Sequence, residues 1–145
     1  MKNLTKQTKP ISGDEIKRDW HLVDATGKIV GRITPEIARL LQGKNKTNYV
    51  PYLDIGDYVV VVNINKMVIS GRKADTKMYT KYSGYPGGLK RTKYSDLFEK
   101  NPREIIRHAV SGMLPKNKNR KERLKRLFVF KDDNHPYKDK FNDNK

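Results

Sequence analysis

The sequence predicts an α/β domain built on a βαβ unit, its sheet covered by helices. Three observations carry the prediction. Asp57-Tyr-Val-Val-Val-Val-Asn63 holds four valines in a row without alternation, the pattern of a strand buried on both faces. Upstream, Ile37, Leu40 and Leu41 recur at helical spacing. Further upstream, Trp20-His-Leu-Val-Asp-Ala25 is rich in strand formers. Strand, helix and buried strand in that order describe the unit.

Residues 1–19 are polar, carry Pro10 and Gly13, and show no periodicity, so they read as an N-terminal arm. The ordered domain begins at Trp20 and runs to Phe130. Thr26-Gly27-Lys28 marks a turn after the first strand. Thr34-Pro35-Glu36 reads as a helix start with Thr34 as cap, or the helix begins a turn earlier, near Gly31. Gly43 suits its stop. Met67–Ser70 reads as a short strand ended by Gly71. Lys81–Lys93 is then too rich in glycine and basic residues for a helix or a strand, and reads as a pliable loop. Ser95–Lys100 is a short helix. Asn101-Pro102-Arg103-Glu104 signals a second helix start, with Asn101 as cap and Glu104 at the third position. Ile105, Ile106, Ala109, Val110 and Met113 form the apolar face of that helix, and Pro115 ends it. Residues 117–127 read as helix, Leu127–Phe130 as a last strand, and residues 131–145 as a polar tail. No internal repeat is visible.

Composition bounds the function. The chain has 145 residues, 35% of them apolar, which supports one domain with a small core. Thirty-two basic residues against sixteen acidic ones leave a net charge of +16. Such an excess repels itself on compaction and implies a polyanionic partner. No apolar run approaches the ~20 residues of a spanning helix, which speaks against a membrane. The first fifteen residues hold no apolar block and do not read as a secretory signal. Without cysteine, disulfides and thiolate metal sites are excluded.

Two stretches carry the chemistry. The first combines Lys77, Lys81, Lys90, Arg91 and Lys93 with Tyr79, Tyr82 and Tyr85, around Gly84, Pro86, Gly87 and Gly88. Bare glycine backbone lets N–H groups approach phosphate, and tyrosine faces stack on unpaired bases. The plainer reading is a solvated loop with tyrosines tucked into the edge of the core. Gly84-Tyr-Pro-Gly87 also fits the G-x-x-G of KH domains, but the match is short and has a proline inside it. The second stretch holds Lys116, Lys118, Arg120, Lys121, Arg123, Lys125, Arg126 and Lys131 against one acid, Glu122. Charge of nearly one sign on a helix suits phosphate contact, and only Leu124 and Leu127 are left to anchor it. Arg39, Lys44 and Lys46, with Tyr49 nearby, form a weaker third patch.

Catalysis has little support. His21, His108 and His135 lie far apart, and Asp54 and Asp57 sit at a strand entrance, where capping is the plain reading. No G-x-x-x-x-G-K-[ST], H-E-x-x-H or G-x-S-x-G motif occurs. An RNA-acting enzyme and a DNA-compacting basic protein are the competing classes. The glycine-rich aromatic stretch favours RNA, because duplex DNA offers no unstacked bases.

Several segments in order resemble one family. They are Trp20-His-Leu-Val-Asp-Ala-Thr-Gly-Lys28 with Gly31-Arg32, Ile37-Ala-Arg-Leu-Leu41 with Gly43-Lys44, and Asp54-Ile-Gly-Asp-Tyr-Val-Val-Val-Val-Asn63. Ser83-Gly-Tyr-Pro-Gly-Gly-Leu-Lys90 and Gly112-Met-Leu-Pro-Lys116 continue the series. Together, over about Lys17 to His135, they resemble the large-subunit ribosomal protein L13 family of bacterial type. The resemblance implies a three-layer α/β/α fold around a small, mainly parallel, four-stranded sheet, with basic loops and extended termini. It implies a structural constituent of the cytoplasmic ribosome that is no enzyme and needs no cofactor or metal. Such a protein binds large-subunit (23S-type) ribosomal RNA early in assembly, beside neighbouring large-subunit proteins. Some members are thought to bind messenger RNA and repress translation. RNA contact is carried over to the glycine-tyrosine stretch, the Lys44 loop and the block after Pro115. Two positions depart from the family pattern: Arg120 stands where a glycine is usual, and Tyr52 where a histidine follows Tyr-x-Pro.

Overall fold

A computed structural model describes residues 12–144. Residues 1–11 of the expected arm, and Lys145 of the expected tail, lie outside them. Strand β1 (Trp20–Asp24), helix α1 (Val30–Gln42) and strand β2 (Tyr58–Val62) form the βαβ unit that the valine run announces. Strand β5 (Leu127–Val129) joins β2 on its other side, giving a sheet in the order β1-β2-β5 with both pairs parallel. The central strand is the valine strand, and Val59–Val62 are all fully buried. Being central, β2 has no open edge and needs apolar side chains on both faces.

Helix α1 begins at Val30, the earlier of the two expected starts. The Ile29 carbonyl accepts hydrogen bonds from the Arg32 and Ile33 N–H groups, which closes the first turn. Thr34 is no cap: it is buried, and its hydroxyl donates to the Val30 carbonyl at 2.6 Å. Pro35 therefore lies inside the helix, where it has no N–H for the carbonyl one turn back. The helix ends at Gly43, whose φ of 76° is the left-handed conformation that glycine tolerates best.

The expected fourth strand at Met67–Ser70 reduces to a single parallel bridge between Ile29 and Val68. The Val68 N–H bonds to the Lys28 carbonyl and the Val30 N–H to the Val68 carbonyl. The segment that carries Ile29 turns into α1 at Val30, so the ladder stops there. The stretch read as a loop is instead an antiparallel hairpin of β3 (Met78–Tyr82) and β4 (Leu89–Lys93), separate from the main sheet. Its connection turns at Gly84 (φ 90°) and Gly87 (φ 73°). Both strands are mostly exposed, so neither carries the alternation by which strands are usually read.

Short helix α2 (Lys73–Thr76) precedes the hairpin, and helices α3 (Tyr94–Lys100), α4 (Pro102–Met113) and α5 (Asn119–Lys125) follow it. The α4 start falls where expected, though the Asn101 side chain bonds to Glu104 and not to a backbone N–H. Ile33, Ile37 and Leu41 of α1 and Ile105, Ile106 and Val110 of α4 close one core over Val59 and Val61. Trp20, Tyr58 and Phe128 line the other face of the sheet, with ring centroids 4.4 Å apart for Trp20–Tyr58 and 5.8 Å for Trp20–Phe128. Tyr137, from the segment read as a polar tail, packs on Trp20 at 5.0 Å and on Phe128 at 4.6 Å.

Candidate nucleic-acid interface

The hairpin carries the first group of expected contact residues. Lys77, Lys81, Tyr82, Tyr85, Lys90, Arg91 and Lys93 are all exposed, and Tyr85 at the tip is 76% exposed. The register sets Lys81 directly opposite Lys90, with Thr80 opposite Arg91 and Met78 opposite Lys93. Side chains directly opposite in an antiparallel pair share a face, so two ammonium groups stand side by side there. No acidic residue lies between Lys77 and Lys93 to relieve them. The opposite face carries Met78, Tyr82 and Leu89, each about half exposed or more, among Arg91 and Lys93. Like charges aligned this way destabilise an isolated hairpin and favour an anion laid across it.

Tyr79 is the foot of the hairpin. Its ring lies edge-on to His108 at 5.2 Å, with the Lys77 ammonium 5.3 Å from its centroid. Burial pushes the Tyr79 and Tyr94 hydroxyls above the ordinary phenol value, so both stay neutral. Lys73, the exposed first residue of α2, lines the space at this foot, with exposed Arg72 just before it, and neither was among the expected residues. The Arg-Lys pair directly after Gly71 is the signal that could have found them.

The second block divides. Lys116, Lys118, Lys121 and Lys125 are exposed, and Lys125 pairs with Glu122 at 2.8 Å. Arg123 and Arg126 are not surface cations, although helical spacing alone would put them on a charged surface. Arg123 is 1% exposed, and both guanidinium groups bind the Asp54 carboxylate. Arg120 donates to the Ser111 hydroxyl and is half-buried. Asp54 is therefore an ion-pair hub and no strand cap.

In the third patch Arg39 and Lys44 are exposed at the end of α1, and Tyr49 is half-buried. Lys46 turns inward: its ammonium meets the Asp57 carboxylate and the carbonyls of Lys17 and Ile55. Asp57 also binds the His21 ring and the Asp19 N–H, each at 3.0 Å. Burial acts to raise the Asp57 pKa, but the His21, Lys46 and Asp19 hydrogen bonds outweigh it and hold the carboxyl below its ordinary value. The structure thus brings the third patch and the α5 block together around the Asp54–Asp57 loop, and keeps the hairpin as a separate group.

The three histidines do not converge. His21 serves Asp57, His108 packs on Tyr79, and His135 is buried against Phe130 and Phe141. Among the described residues, no three His, Cys, Asp or Glu side chains are grouped to hold a metal. Among the described residues, no helix is long and apolar enough to cross a membrane.

Fold and charge define a class first: a small, basic α/β protein whose cations gather on an exposed hairpin and beside one helix. The sequence profile of the ribosomal protein L13 family matches residues 18–136. The large ribosomal subunit protein uL13 of Clostridioides difficile is 53% identical over 116 residues, spanning 80% of this chain and 81% of its own. That of Rubrobacter xylanophilus is 47% identical over 123 residues, spanning 85% and 86%. That of Thermotoga petrophila is 47% identical over 132 residues, spanning 91% and 89%. The chain belongs to the ribosomal protein L13 family, a family of structural proteins and not of enzymes.

Proposed function

We propose that this protein binds large-subunit (23S-type) ribosomal RNA and is built into the large subunit early in its assembly, in the cytoplasm, beside other large-subunit proteins. The relatives' names place those proteins in that subunit. The observation that carries RNA binding is the juxtaposition of Lys81 and Lys90 on a hairpin free of acids. A polyanion removes their repulsion, and Tyr82 and Tyr85 offer open ring faces to unpaired bases. Arg39, Lys44, Lys116, Lys118 and Lys121 extend the contact along the phosphate backbone. Arg123, Arg126 and Lys46 act behind this surface, by holding the loop and helix that present it.

Salt titration of binding tests the reading. With about six phosphates neutralised, log K falls against log salt with a slope on the order of −4 to −5. A slope near zero, or equal affinity for duplex DNA, overturns it. Messenger-RNA binding and translational repression, as the resemblance implies for some members, would use the same hairpin. Competition between a messenger leader and ribosomal RNA for one protein measures that directly.

A further inference from the structure

A cavity of about 260 Å³ opens at the foot of the hairpin, between the start of α1, the Ile69–Ser70 segment, α2, β3 and α4. Its wall is apolar and includes Ile69, Ile105, Ala109 and Met113. The aromatic residues Tyr79 and Tyr94 also line it. Tyr94 is only 5% exposed, so its ring is part of the cavity wall. Lys73 and Lys77 stand in the lining, and no carboxylate does. The 13-residue helix α1 starts here with no side-chain cap and no acid in its first turn. The Val30, Arg32 and Ile33 N–H groups are already bonded to the Val68 and Ile29 carbonyls, but a Cβ on Gly31 would meet nothing within 4 Å, so the space beside Gly31 is open.

These features describe an apolar slot with aromatic sides and a positive rim. Helix N-termini and lysines favour a phosphate at the rim. Pockets for drug-sized ligands run from roughly 300 to 1,000 Å³, so this one suits a single planar ring system and little more. An apolar side chain of another protein would fill the slot but leave the two lysines unanswered. We propose that the cavity receives one unpaired nucleotide of the RNA that lies across the hairpin. Its base enters between the tyrosines and the Ala109–Met113 wall, and its phosphate rests against Lys73, Lys77 and the start of α1. Only a base turned out of its stack reaches such a slot, so the cavity selects a bulge or loop over a continuous helix. The inference rests on the RNA-binding reading above and adds a subsite to it.

Methyl-resolved NMR of the full chain, with AMP, GMP, CMP and UMP as probes, tests the subsite by itself. The expected result is a saturable shift of the Ala109 and Met113 methyl signals with at least one nucleotide. Removing both rim cations (Lys73→Ala with Lys77→Ala) should weaken it about tenfold. Equal shifts from ribose 5-phosphate, or none from any nucleotide, overturn the proposal. A response only to a leucine-rich peptide assigns the slot to a protein partner and overturns it as well. Met113 is 45% exposed at the cavity, so Met113→Trp closes the slot without removing core volume. That variant should lose several-fold in affinity for large-subunit ribosomal RNA while remaining folded. Undiminished affinity overturns the subsite and leaves the hairpin reading intact. No RNA binding by the unaltered protein would instead overturn the hairpin reading.

Discussion

Arg126 grips the Asp54 carboxylate with both ends of its guanidinium, Nη1 to Oδ2 and Nη2 to Oδ1, each at 2.6 Å. Arg123 adds its Nε–H to Oδ1 at 3.3 Å from a fully buried position. Two cations share one anion here, and the Arg126 Nε–H is left without a partner among the described residues. Replacing Asp54 by Ala strands both guanidinium groups. The expected loss is about 3–5 kcal/mol, the range for breaking a buried pair. Urea unfolding at neutral pH measures it, and a loss below about 1 kcal/mol would show that water screens the pair. Arg123→Ala should be similarly damaging to the fold, in contrast to an exposed substitution.

Gly56 lies against the end of α1, where a Cβ would fall 1.8 Å from the Leu41 carbonyl oxygen. Backbone cannot yield as a side-chain tip can. Gly56→Ala should therefore destabilise by about 3 kcal/mol or more, at the upper end of overpacking effects. It should also loosen the Asp54–Arg126 pair, since Arg126 Nη2 would lie only 3.0 Å from the new carbon. A calorimetric melt of this variant at the wild-type temperature would show that the loop can move away freely.

Asp57 makes stability depend on pH in the acid range. Burial opposes its ionisation, but the hydrogen bonds from His21, Lys46 and Asp19 hold its folded pKa low. A carboxyl with a lowered folded pKa stabilises fully above its unfolded value of about 3.9 and loses that contribution as pH falls through the folded value. The stability gap between wild type and Asp57→Asn should therefore narrow as pH drops below about 4. Unfolding midpoints measured for both proteins down to acid pH give the gap, and a constant difference would contradict the assignment.

Lys90→Glu should move stability and binding in opposite directions. It converts the Lys81–Lys90 cross-strand pair from like to opposite charges, a change of roughly 0.2–1 kcal/mol in favour of the hairpin. The same change removes a cation from the RNA-facing surface and adds an anion. A small rise in melting temperature with a clear loss of RNA affinity is expected. Loss of both would mean that Lys90 has a packing role the register does not reveal.

The division of labour between the faces of the hairpin was not visible in the chain. Lys77–Lys93 has no hydrophobic period because neither strand is buried, and period is what marks a strand. Its register follows from the turn at Gly84–Gly87, whose positive φ values no sequence rule assigns uniquely. The cations in and just after α5 differ for another reason. Helical spacing places Arg123 and Arg126 on a charged surface, but the carboxylate that buries them is some seventy residues away in sequence. Local spacing carries no information about such a partner.

What the sequence alone determined is the local and the summed: the buried valine strand, the stop of α1 at Gly43 and the start of α4 at Pro102, the charge of +16, and the stretches holding exposed lysine and tyrosine. Each depends on periodicity within a few residues or on a total over the chain. Only the tertiary structure decided which cations remain free, that β2 is the central strand, and that Lys81 faces Lys90. Those outcomes depend on pairing between distant segments. There a carboxylate at 54 can withdraw two arginines from the surface, and a register one residue different would send Lys81 and Lys90 to other neighbours.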